Sequence, residues 1–169
     1  MPRPRSLALF AVLLAAATGG AGLLPAAEGP EPSPPRRTIA VTVDDLPFVA
    51  HGLSLAAVRT LSHDLVAALA ARKVPAVAFV NEDRLFVPGE VDARIAILTE
   101  WLDAGMELGN HTWGHPGLTK TPLADMEDAV VRGETVTRWL LERRGARPRW
   151  FRHPFAQTGR SQGTRDAFE

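Results

Sequence analysis

The sequence predicts an α/β domain built on a parallel sheet, and three observations lead there. Short apolar, β-branched runs alternate with amphipathic stretches of helical period, in the order strand, helix, strand, helix, strand, helix, strand. The strand runs are apolar at nearly every position, as strands covered on both faces are. The residues that do chemistry (Asp44 and Asp45, His111 and His115, Arg152) each follow such a run. In parallel α/β sheets, open or closed into a barrel, functional side chains gather at strand carboxyl ends.

Composition sets the outer limits. With 46% hydrophobic and 22% charged residues the chain is globular rather than disordered. Residues 1–27 have the layout of a secretory signal peptide: a basic start with Arg3 and Arg5, an apolar run over 7–17, then small residues. The proline-rich stretch 28–37 reads as an extended linker, which leaves 38–169 as the domain. There is no cysteine, so an exported domain must rely on its core or on a metal rather than on disulfides. Acidic and basic residues balance at 19 each, which gives no electrostatic case for nucleic acid or an anionic membrane. After leader cleavage no stable membrane association is expected.

The elements follow in order. "TIAVTV", 38–43, is a buried strand that runs into Asp44 and Asp45. A helix over 54–72 places Val58, Leu61, Leu65 and Leu69 on one face. "AVAFV", 76–80, is the second strand, with Asn81 at its end where it could line a site. A loop holds Pro88 and Gly89. The next helix covers 91–104, with Ile95, Leu98 and Leu102 inward and Gly105 as its stop. "MELGN" is a short strand that delivers the histidines. The longest helix runs from Thr121, its cap, through Pro122, its first residue, to Gly145. "RWFRHPF" is a further strand, and "SQGTRDAFE" begins another helix. Trp101 and Trp139 are expected in the core. Trp113 either packs its loop or stacks on the ring of a ligand. His51, His63 and His153 carry no functional expectation.

His111 and His115 in "GNHTWGH" have the spacing of two ligands on one helix face. Gly109, Gly114 and Pro116 argue instead for a turn after a strand. On one rim with Asp44 and Asp45, two imidazoles and one carboxylate make the three-ligand set of a catalytic zinc site with a position open to water. Adjacent residues at a strand end point in opposite directions. One aspartate can then face the metal while its neighbour acts as general base, held by a bidentate pair with Arg152.

"TVDDLP", "HTWGH" and "RHPF" resemble, in order, the first three motifs of the polysaccharide deacetylases, carbohydrate esterase family 4. The resemblance spans about Thr38 to Phe155. It implies a distorted (β/α) barrel and a divalent metal, zinc first, with cobalt, nickel or manganese also usable. Asp45, His111 and His115 would be the metal ligands. Asp44 would be the general base as metal-bound water attacks the acetyl carbonyl of an acetylated sugar or polysaccharide, a carbon–nitrogen bond other than a peptide. Arg152 would tune Asp44, Thr112 would steady the histidine loop by hydrogen bonding, and Pro154 and Phe155 would serve the substrate and oxyanion side. The N-terminal leader pattern, apart from the resemblance, implies a periplasmic or extracellular location. Val43 and Leu46 depart from the pattern, and Leu46, where the family has glycine, is expected to alter the loop beside the metal. The family's two later motifs, one supplying an acid histidine, have no counterpart before Glu169. The chain therefore reads as the front two-thirds of a deacetylase barrel, truncated at its C-terminus. A metal- or glycan-binding relic without catalysis is the alternative.

Overall fold

The computed structural model describes residues 38–48 and 52–168. The stretch read as leader and linker, and His51, lie outside these residues. Three strands, β1 (Val41–Leu46), β2 (Ala76–Val80) and β3 (Glu107–Asn110), form a parallel sheet in that order. Helix α1 (Leu55–Ala71) joins the first two. A short 3-10 helix (Glu82–Leu85) and α2 (Val91–Asp103) join the next. After β3 come α3 (Leu123–Arg132), α4 (Thr135–Glu142) and α5 (Gln162–Phe168).

One sheet face packs on helices. Ala76, Ala78, Val80 and Leu108 meet Val58 and Val66 of α1, Ile97, Leu98 and Trp101 of α2, and Leu140 of α4. Burying each Leu, Ile or Val contributes roughly 1.5–3 kcal/mol, so this layer holds the fold. The Ser54 hydroxyl caps α1 by accepting from the Ala57 N–H at 3.3 Å.

Several boundaries differ from the sequence reading. β1 begins later and runs through the aspartates to Leu46 instead of ending before them. The longest predicted helix is two, broken at Gly133 and Glu134. Pro122 occupies the cap position of α3, and the Thr121 hydroxyl donates instead to the Gly117 carbonyl at 2.9 Å. The last predicted strand is reduced to one parallel bridge between Asn110 and Phe151. Trp101 is fully buried, whereas Trp139 is half exposed under Arg143.

Candidate metal centre

An irregularity in β1 gives the two aspartates a common direction. Val43 pairs with Ala78 and Leu46 with Val80, so Asp44 and Asp45 together oppose Phe79 alone. Such a bulge re-aims side chains that an unbroken pleat would send to opposite faces. Asp45 carries the kink, with a φ of 61°. The expectation that neighbouring aspartates face apart is thereby corrected, since both line the same cleft. Leu46 is buried in the helix-side core, so its side chain leaves the metal side untouched.

The histidines sit on a loop with no helical turn. Thr112, Gly114 and His115 have φ of 70°, 74° and 54°. Left-handed backbone at a non-glycine residue costs on the order of 1–3 kcal/mol and persists only where its surroundings impose it. Here α3 imposes it. The Trp113 N–H donates to the Ala129 carbonyl, and Asn110 Nδ2 donates to the Val130 carbonyl, both at 2.8 Å. Asn110 Oδ1 accepts from the Thr112 N–H at 2.7 Å. Gly133 completes the cradle, because a Cβ there would lie 2.5 Å from the Thr112 carbonyl carbon. The brace is Asn110. The Thr112 hydroxyl, expected to steady the loop, is buried with no hydrogen-bond partner among the described residues.

Asp45, His111 and His115 each offer one ligand atom, all within 4.8 Å of one another. His115 Nε2 lies 3.2 Å from His111 Nε2 and 3.5 Å from Asp45 Oδ1. His111 Nδ1 faces the Arg152 carbonyl at 2.8 Å. A carbonyl only accepts, so Nδ1 carries the proton and Nε2 presents a lone pair. Burial holds the His115 imidazole below its ordinary range, against the pull of Asp45 and with the help of His111 and Arg84. Neutral imidazole is the metal-binding form. Asp45 Oδ1 is buried without a hydrogen-bond partner among the described residues. An orphaned carboxylate oxygen beside two imidazole nitrogens is a donor set that fits a divalent cation.

Arg152 reaches the same face. Its Nη1 donates to Asp44 Oδ1 at 2.8 Å and to the Thr42 hydroxyl at 3.0 Å, and its guanidinium lies 4.3 Å from the centre of the Phe79 ring. One nitrogen serves both partners, so the expected bidentate pair is a single contact. The side chains are 36% and 40% exposed, so the pair orients Asp44 more than it stabilises the fold. Gly109 makes room below, since a Cβ there would stand 2.7 Å from the Phe79 ring. Phe155 packs edge-on against His115, ring centres 4.5 Å apart, and is 65% exposed. Buried Pro154 opens the turn that presents it. These groups border a cleft of about 690 Å³.

A family model described as polysaccharide deacetylase matches residues 31–166. The chain belongs to the polysaccharide deacetylase family. No curated protein matches it. Among solved structures, the peptidoglycan deacetylase PdaC from Bacillus subtilis is 25% identical with a TM-score of 0.54, over 76% of this chain and 54% of that one. A CE4 family pseudoenzyme from Bacillus anthracis is 20% identical with a TM-score of 0.54, over 76% and 40%. A family 4 acetyl xylan esterase from Clostridium thermocellum, in complex with a cobalt ion, is 22% identical with a TM-score of 0.53, over 77% and 53%. The last two likenesses speak for the fold alone. The deacetylase fold is thus shared, and the chain spans about half the length of the first of these structures.

Other residues of this deacetylase domain carry roles or positions that the sequence reading missed. Thr42 and Asn110 support Asp44's partner and the histidine loop; Thr42 opens the first motif and Asn110 lies beside the second, and neither has a further sequence signal. His153 lines the cleft, and burial pushes its pKa down. Trp113 packs against Phe86, ring centres 5.2 Å apart, with the Arg132 guanidinium 4.6 Å from its ring centre, which favours loop packing over sugar stacking. Buried Glu82 accepts from the Val136 and Thr137 N–H groups at 2.9 and 2.6 Å and so caps α4. Burial raises its pKa despite those hydrogen bonds.

Proposed function

We propose that this chain carries the metal-holding part of an exported hydrolase that removes acetyl groups from an acetylated sugar or polysaccharide, cleaving a non-peptide carbon–nitrogen bond. The observation that carries the reading is the convergence of Asp45, His111 and His115 beside an Asp44 held by Arg152. The trio would hold a divalent cation. Its nitrogen and oxygen donors suit zinc and also accept cobalt, nickel or manganese. When bound, such a cation supplies Lewis-acid polarisation of the acyl oxygen and acidification of water.

The other work belongs to the chain. One Asp44 oxygen is fixed by Arg152, and the other is left to take a proton from the attacking water. As the carbon–oxygen bond forms at the acetyl carbon, the carbon–nitrogen bond breaks and the proton taken up by Asp44 passes to the leaving nitrogen, giving acetate and a free amine. Pro154 and Phe155 serve the acyl-oxygen and sugar side, where the exposed Phe155 ring offers an apolar face. The N-terminal pattern supports export to the periplasm or beyond. Among the described residues no helix is long and apolar enough to cross a membrane.

The test is acetate release from an N-acetylglucosamine oligomer by the zinc-supplemented chain. Release by the wild type and a loss of about 10²–10⁴-fold in Asp44→Asn are expected. Undiminished release in Asp44→Asn would overturn the mechanism. Zinc and oligomer binding without acetate release would make the chain a binding module.

A further inference from the structure

The carboxyl end of β2 carries a residue that the mechanism does not use. Asn81 keeps extended backbone, φ −97° and ψ 95°. It also continues the ladder. Its N–H donates to the Leu46 carbonyl at 3.1 Å, and the His111 N–H donates to the Val80 carbonyl at 2.9 Å. The register pairs Phe79 with Gly109 and Val80 with Asn110, so the next step brings Asn81 beside His111. Side chains alternate along a strand, and laddered neighbours share a face. Asn81 therefore shares a face with Phe79 and His111, whose ring centres are 6.2 Å apart. It stands between the strand that carries Asp45 and the strand that delivers His111.

That position is costly for an amide. Asn81 is 0% exposed, and neither its Nδ2 nor its Oδ1 has a hydrogen-bond partner among the described residues. A buried polar group left unpaired destabilises a fold, and an apolar side chain of similar shape would not. Such groups call for an explanation outside packing, such as a ligand, an ion or ordered water. Asp45 Oδ1 is orphaned in the same way one strand over.

We propose that Asn81 is a positioning residue of the cation site. Its carboxamide, without a hydrogen-bond partner among the described residues, supplies a neutral donor and acceptor between β1 and β3 and fixes the spacing of Asp45 and His111 when a cation is bound. The inference rests on the reading that Asp45, His111 and His115 hold a cation.

Asn81→Leu and Asn81→Ala in the full chain test it, with zinc alone as the probe. Two quantities are read: the melting temperature of the chelator-stripped protein and the zinc dissociation constant. The expected result is a metal-free melting temperature equal to or above wild type in at least one variant, with zinc binding weakened ~10–100-fold, the range for groups that orient metal ligands. A purely structural asparagine would not move the two readouts in opposite directions. Unchanged zinc binding in either folded variant would overturn the proposal. So would a lowered metal-free melting temperature in both, which would make Asn81 a packing residue. A wild type that takes up no zinc would overturn the metal reading itself, and this inference with it.

Discussion

The two faces of β2 are one residue step apart and chemically opposite. Ala76, Ala78 and Val80 look into the helix layer, where apolar contacts are dense and the Trp101 indole N–H finds the Ser62 hydroxyl at 2.8 Å. Phe79 and Asn81 lie on the face that carries His111, near positive-φ backbone, and Asn81 and Asp45 Oδ1 there find no hydrogen-bond partner among the described residues. Stability is concentrated on the first face. The second face carries local conflicts that packing alone would remove, and such conflicts collect where a ligand is bound.

Trp101→Ala should break the comparison on its stable side. It removes the largest fully buried side chain and leaves Ser62 without its donor, at about 3–5 kcal/mol in chemical denaturation. Zinc affinity of the fraction still folded should be unchanged. Gly133→Ala acts at the seam between the faces. Its methyl group would press on Thr112 backbone, costing roughly 1–3 kcal/mol and loosening the histidine loop, so zinc should bind more weakly as well. The smallest effect belongs to Glu82→Gln. The folded pKa of Glu82 is raised above its ordinary 4.5, so its protonated form favours folding. That contribution is full below 4.5 and is lost as pH rises through the folded pKa. Stability measured across this window should fall with pH more steeply in the wild type than in Glu82→Gln. Parallel slopes would remove Glu82 from the pH response.

What the sequence revealed follows the same division. The run Ala76–Val80 and the helices over α1 and α2 were legible because a buried strand and an amphipathic helix each impose a period on apolar residues. The meeting of Asp45 with His111 and His115 was legible because parallel sheets gather strand ends on one rim. The β1 bulge was not, since nothing in "TVDDLP" marks Asp45 for positive φ, and a regular pleat would have parted the aspartates. The break at Gly133 was hidden because helical periodicity carries across it, and the glycine answers to Thr112 more than twenty residues earlier. Asn110 was obscure for a similar reason, and Asn81 was legible only as a strand-end residue that could line a site. An asparagine at a strand end shows in sequence neither its partners nor their absence.

The most direct test of the central claim is a calorimetric zinc titration of the chelator-stripped full chain, beside a variant with both Asp45→Ala and His111→Ala. The account predicts one equivalent of zinc on the wild type and none on the variant. Equal uptake by both, or none by a folded wild type, would contradict it.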